Sequence, residues 1–146
     1  MVTAGGVCAA LEGELGRWLQ IDAEPALYTL HYMPPDGAAL RRWTPPGAWP
    51  EGEPLEHLPR IAGAVRPAEA VTPDFLGFAF RAETGEGATG VQRWIWALTG
   101  DRESYAAVKM LHAPGMASGA NFTAPEPVRL TLEWLLQQLP RRAVTR

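Results

Sequence analysis

Three consecutive segments in the middle of this chain constrain its fold more than any other feature. Each has the length of a β-strand, and the first two are rich in aromatic and β-branched residues, which pack well on a pleated surface. Clusters of glycine, aspartate and threonine separate the segments and are typical of chain reversals. The sequence therefore predicts three successive strands, at Phe75–Ala82, Val91–Thr99 and Ser104–Leu111.

The turn between the second and third segments predicts how these two strands pair. If residues 100–103 form a four-residue turn, Thr99 lies opposite Ser104. Arg93 then lies on one face of the hairpin. The other face carries Trp94, Trp96, Tyr105 and Lys109. A shift of one residue in the pairing would exchange the faces.

Alternation within the first segment places Leu76, Phe78 and Phe80 on one face of the sheet. A face of this kind must be buried against another layer of secondary structure. The sequence on either side of the three strands contains candidates for that layer.

Apolar residues at helical or strand spacing indicate further elements before the three strands. An amphipathic helix is expected at Ala4–Gln20, with Thr3 as its N-cap. The others are a strand at Ala26–Met33, a strand at Ala38–Thr44 and a helix at Pro54–Val65. Proline inside that second helix predicts a kink or a division into two short helical turns.

The last helix has the clearest boundary signals in the chain. Thr123 and Glu126 have the spacing of a capping box, and Pro140 is expected to end the helix. Residues 112–122, which precede this helix, are rich in glycine, alanine and serine. We expect them to form a loop.

These elements predict an α+β fold with one antiparallel sheet of about five strands and roughly three helices. The expected order is α-β-β-α-β-β-β-α. This order resembles that of profilin-like and roadblock-like domains, where helices pack on one antiparallel sheet, and the resemblance implies no function. A length of 146 residues fits a single domain over 1–146, with 141–146 as a loose tail.

Composition argues against several classes of function. Hydrophobic residues make up 47 % of the chain and the net charge is −3, which favours a globular protein and argues against binding to nucleic acid. Cys8 is the single cysteine, so an internal disulfide and a multi-cysteine zinc site are excluded. The sequence shows neither a signal-peptide pattern nor an apolar run of membrane-spanning length. We expect a cytoplasmic protein that does not enter membranes.

The motifs in the sequence indicate no particular chemistry. Gly85–Gly90 matches the GxGxxG pattern, but a predicted strand follows it where a dinucleotide site needs a helix. His31, His57 and His112 lie in separate elements without the spacing of metal ligands. Neither serine lies in a nucleophile motif. The catalytic residues are therefore unknown, and we expect no metal, no cofactor and, on balance, no enzyme.

The aromatic residues are the feature most above background, because the chain has six tryptophans. Trp94 and Trp96 are either core residues or part of a recognition face, since large aromatics are typical of both. The leading hypothesis is a protein-interaction module that binds another protein or its own copy. Its predicted contact residues are Trp94, Trp96, Tyr105 and Lys109, with Arg93 on the alternative face.

Two alternatives stay open. The first is a small-ligand-binding protein or enzyme with a pocket between the sheet and the 112–122 loop. Its polar candidates are His31, His112, Glu83 and Asp74. The second is an immunity or inhibitor protein, which suits the size and mild acidity of the chain.

Overall fold

Six strands form one antiparallel sheet, and helices pack on both of its faces. The computed structural model describes residues 2–18, 24–85, 90–111, 113 and 115–139. The helices are α1 (Ala4–Arg17), α2 (Pro54–Ala64) and α3 (Glu126–Gln137), with a short 3₁₀ helix at Pro67–Ala70. The strands are β1 (Ala26–Met33), β2 (Gly37–Arg42), β3 (Phe75–Thr84), β4 (Gln92–Thr99), β5 (Ser104–Met110) and β6 (Met116–Ala120). Their order in the sheet is β2-β1-β3-β4-β5-β6.

The predicted α+β class is confirmed, and the sheet has six strands where about five were expected. The additional strand, β6, lies inside the segment that was predicted to be a loop. Its residues are mostly small and show no alternation of apolar and polar side chains, so periodicity did not reveal it. Pairing with β5 supplies its backbone hydrogen bonds instead.

The predicted β4–β5 register was wrong by one residue. Leu98, not Thr99, lies opposite Ser104, because the connecting loop has five residues. The Thr99 N–H donates to the Glu103 carbonyl at 3.0 Å, and the Thr99 hydroxyl bonds the Asp101 carboxylate. Arg102 takes a φ of 69° within this loop, a conformation more often adopted by glycine.

The corrected register divides the four residues that were predicted to share a face. Trp94 lies opposite Val108, and Trp96 lies opposite Ala106, on the face that α3 covers. Tyr105 and Lys109 alternate with Ala106 and Val108, so they face α1, as does Arg93. The tryptophans and the Tyr105–Lys109 pair cannot form one contact surface on the sheet.

A large apolar cluster fills the space between the sheet and the helices α2 and α3. Its members include Leu27, Phe78, Phe80, Trp96, Val128, Leu132 and Leu135. A second cluster lies under α1 and includes Val7, Leu11, Leu15, Tyr28 and Ile95. Leu76 packs against this second cluster, so its predicted place beside Phe78 was wrong. The reason is an irregularity where β1 pairs with β3, between Leu30 and His31.

The helix boundaries differ from the predictions in specific ways. Thr3 caps α1 as expected, with its hydroxyl accepting from the Gly6 N–H at 3.0 Å, but α1 ends at Arg17. Helix α2 continues through Pro59 without dividing. Helix α3 begins at Glu126 with Pro125 as its N-cap and no side-chain cap bond, so the capping box with Thr123 was wrong. Pro140 and the 141–146 tail lie outside the described residues.

Candidate functional site

The two edge strands of the sheet, β2 and β6, differ in whether their side chains prevent pairing with another chain. At one edge, β2 ends in Arg41 and Arg42, which pair with Asp74 and Glu24 at 3.5 Å. At the other edge, β6 has the sequence Met-Ala-Ser-Gly-Ala, without charge or proline. Charged residues and proline are the usual means of preventing an edge strand from pairing with another chain. The β6 edge lacks both.

The alternation of bonded and non-bonded residue pairs between β5 and β6 shows which β6 backbone groups point away from the sheet. The Asn121 N–H donates to the Ser104 carbonyl at 2.7 Å, directly beyond the end of β6. In an antiparallel ladder, bonded and non-bonded pairs alternate along the strand. Ala117 and Gly119 are therefore bonded to β5. The outward groups are the N–H and C=O of Met116, Ser118 and Ala120.

An uncovered apolar strip adjoins this edge on the α3 side of the sheet. Helix α3 packs on β3 and β4, and the neighbouring part of β5 and β6 stays partly exposed. We call this surface the open strip, and it consists of Trp94, Val108, Ala117 and Phe122. Trp94 is half-buried, and Phe122 is 40 % exposed. The β6 edge and the open strip together form the candidate site.

Aromatic stacking joins the open strip to the core. The Trp94 and Trp96 rings stack at a centroid distance of 5.5 Å, with an angle of 4° between their planes. Phe122 contacts Trp94 at a centroid distance of 5.3 Å, and Phe80 stacks on Trp96 at 6.2 Å. Trp96 is only 3 % exposed, so it belongs to the core, whereas Trp94 lies at the boundary with solvent.

Arg93, predicted as a contact residue on the alternative face, is 2 % exposed and lies under the C-terminal end of α1. Its Nε donates to Glu83 at 2.8 Å, and one terminal nitrogen donates to the Trp18 carbonyl at 2.5 Å. Its guanidinium also lies 4.5 Å from the centre of the Trp18 ring, as does that of Arg81. This arginine ties α1 to the sheet and does not present its side chain to a partner.

The polar candidates of the predicted ligand pocket only partly meet. His31 Nδ1 lies 3.0 Å from Asp74 Oδ1, but Glu83 is paired with Arg93 on the α1 face. His112 lies outside the described residues. The three described side chains, those of His31, Asp74 and Glu83, therefore do not converge on one pocket.

His31, Asp74 and Thr29 form a hydroxyl–imidazole–carboxylate chain, because His31 Nε2 lies 2.8 Å from the Thr29 hydroxyl. Burial lowers the pKa of His31. A hydrogen bond from Thr72, together with His31, lowers the pKa of Asp74. Neutral His31 then donates from Nδ1 to the Asp74 carboxylate, and its Nε2 accepts from Thr29.

This order of groups is the one found in hydrolase triads, but the residue that carries the hydroxyl is buried. Thr29 is 6 % exposed, and none of the three residues lines the groove between α2 and α3 or the cavity beside Phe122. The chain connects β1 to the turn that precedes β3, and we assign it a structural role.

Two of the surface cavities among the described residues have linings relevant to a ligand site. One is an apolar groove of about 390 Å³ between α2 and α3, lined by Pro59, Pro127, Leu130, Thr131 and Trp134. The other, of about 230 Å³, lies beside Phe122 at the β4–β5 loop.

Other kinds of site find no support in the part of the chain that the structure describes. It contains no cluster of three or more histidine, cysteine or acidic residues arranged to hold a metal ion. Within the same residues, every helix is too short or too polar to cross a membrane. Gly90 is followed by Val91 and then by β4, so the helix that a dinucleotide motif requires does not follow. Residues 86–89 of that motif lie outside the described residues.

The sequence analysis did not predict strand β6, although turn-forming residues stand on both sides of it. Gly115 and Asn121 bracket the strand with φ values of 92° and 59°, and both are residue types that favour such turns. Comparison with protein-family models, with curated proteins and with solved structures finds no match for this chain.

Proposed function

We propose that this protein is a cytoplasmic interaction module that accepts an extended segment of a partner, or of a second copy, as a strand beside β6. The observation that carries this proposal is the uncharged β6 edge with its outward backbone groups at Met116, Ser118 and Ala120. Strand addition is a common mode of peptide recognition, in which main-chain hydrogen bonds provide affinity.

Contacts with the open strip give the interaction a preference for particular side chains, which main-chain hydrogen bonds alone do not provide. Side chains of an added strand alternate between the two faces of the sheet. On the α3 side they would lie beside Ala117 and near Phe122, extending the apolar surface. The binding segment is therefore expected to carry apolar residues at every second position. The net charge of −3 favours a protein partner over nucleic acid.

Proline at position 118 is expected to weaken this association at least about fivefold, because it removes one outward hydrogen-bond donor worth about 1 kcal/mol. The Ser118 N–H does not bond β5, so the fold should tolerate the change. The partner is first captured from the native host and identified. Its affinity for the purified variants is then measured by calorimetry, and self-association is followed by sedimentation.

Ser118→Ala is the matched control, because it removes only the side-chain bond to Glu12 and keeps the backbone N–H. Ala120→Pro repeats the test at a second outward position if Ser118→Pro lowers the thermal midpoint. Trp134→Ser tests the groove between α2 and α3 and is expected to leave affinity unchanged. Unchanged affinity in both proline variants, or loss only with Trp134→Ser, would contradict strand addition at β6.

A further inference from the structure

The outward backbone groups of β6 are arranged so that the strand can pair with a second copy of itself. In an antiparallel pair with a two-fold axis at Ser118, Met116 of each copy lies opposite Ala120 of the other. Every outward residue then meets an outward residue, and each such pair can exchange two main-chain hydrogen bonds. The non-bonded pairs between them join Ala117 to Gly119, whose small size lets the two backbones approach.

A pair of five-residue strands is too small to hold two proteins together by itself. Stable interfaces use roughly 20–30 residues a side. A second contact must therefore accompany the strand pair, and an element that lies beside β6 has to supply it.

Helix α1 lies close to the β6 edge on one face of the sheet. It packs over β5 and β6, where its Glu12 carboxylate accepts a hydrogen bond from the Ser118 hydroxyl. The two-fold axis between the two β6 strands is one strand spacing away from this position. With strands about 4.8 Å apart, the two copies of α1 would lie about 10 Å apart, which is within the usual range for packed helices.

The flank of α1 that faces the β6 edge has no large apolar side chain within Ala4–Arg17. Its members, spaced three or four residues apart, are Gly5, Ala9, Glu12 and Gly16. Glycine disfavours a helix, and the fold does not require it at position 16, because an added Cβ would lie 3.5 Å from the Met116 methyl group, an ordinary contact distance. Close approach of a second helix accounts for a glycine at this position.

We propose that the occupant of the β6 edge is a second copy of this chain, paired through both the β6 strands and the α1 helices. This inference rests on the proposed function and names its partner. Because Glu12 lies beside the axis, Ala9 of one helix faces Gly16 of the other. The contact is small, so the expected dissociation constant is on the order of 10–100 μM.

Glu12 gives this dimer a charge signature. The axis at Ser118 brings the two Glu12 carboxylates near each other, and Glu12 is the one charged residue among the four on this flank. Glu12→Gln is therefore expected to tighten dimerisation about threefold at low ionic strength, because it removes the repulsion and keeps an acceptor for Ser118. Equal or weaker dimerisation of this variant would contradict an axis at Ser118.

Sedimentation equilibrium of the purified protein measures dimerisation, from about 1 μM to about 1 mM so that the expected constant is bracketed. Gly16→Gln is expected to weaken dimerisation at least about tenfold, because the new side chain fills the space of the second helix. Its thermal midpoint should not fall, since glutamine favours a helix more than glycine does. Ala9→Gln repeats the test on the same flank if that midpoint does fall.

Gly63→Gln is the matched control. Gly63 lies in α2, is exposed, and has nothing within 4 Å of an added Cβ, so this variant is expected to dimerise as the unmodified protein does. Equal dimerisation of the Gly16→Gln and Gly63→Gln variants would overturn the helix contact.

Two further results distinguish failure of this inference from failure of strand addition. A protein that stays monomeric throughout the range would overturn the choice of a second copy, whereas strand addition would stand if a captured partner protects the Ser118 and Ala120 amides. A dimer that Ser118→Pro leaves intact forms through another surface, which also overturns the inference. Strand addition fails as well only if the captured partner tolerates the proline.

Discussion

Replacing Trp96 with alanine is expected to lower the free energy of unfolding by about 3–5 kcal/mol, as for other large aromatic residues in a core. Trp96 is 3 % exposed and stacks between Phe80 and Trp94. Its removal loses both ring contacts and leaves a cavity beneath α3. Denaturation of the purified variants in guanidinium chloride measures the effect.

Two control variants separate burial from the presence of a tryptophan. Trp94→Ala is expected to cost about 1–2 kcal/mol, because part of this ring already contacts water. Trp96→Phe is expected to cost less than Trp96→Ala, because it keeps a ring and removes the unpartnered indole N–H. Equal costs for Trp94→Ala and Trp96→Ala would contradict the assignment of only Trp96 to the core.

Replacing Arg93 with methionine is expected to destabilise the protein by about 3 kcal/mol, near the lower limit for breaking a buried ion pair. Methionine keeps part of the apolar stem, so the lost interactions are mainly polar. They are the ion pair with Glu83, the bond to the Trp18 carbonyl and the contact with the Trp18 ring. Glu83 keeps partial access to water, which limits the cost.

Arg66→Met is the matched control for this prediction. Arg66 forms a pair with Glu69 at 3.6 Å, and its side chain is 82 % exposed. Exposed pairs of this kind contribute less than about 1 kcal/mol. If both variants lose the same stability in chemical denaturation, the buried role of Arg93 is wrong.

Helices and strands in which apolar residues recur at a regular spacing could be predicted from the sequence. Alternating or 3–4-spaced apolar residues located β1, β3, β4 and α2 closely, because burial of one face imposes that spacing. Strand β6 lacked such spacing, since Ala117 and Gly119 face a part of the sheet that none of the described helices covers. Its pairing rests on backbone bonds, which any residue except proline can supply.

Features that depend on loop geometry or on distant contacts could not be predicted. One additional residue in the β4–β5 loop moved Tyr105 and Lys109 to the opposite face from Trp94. The length of this loop is therefore the reason that the candidate residues named from the sequence lie on two different faces of the sheet. His31 and Asp74 meet across 43 positions, and no spacing rule predicts such a contact.

Amide hydrogen exchange along β6 tests strand addition most directly, because it distinguishes the outward amides from the inward ones. In the isolated protein, the Ser118 and Ala120 amides are expected to exchange rapidly, while those of Ala117 and Gly119 are protected by β5. Addition of the partner, or of protein at a concentration where it self-associates, is predicted to protect Ser118 and Ala120 as well. Complex formation without a change at these two amides would contradict the account.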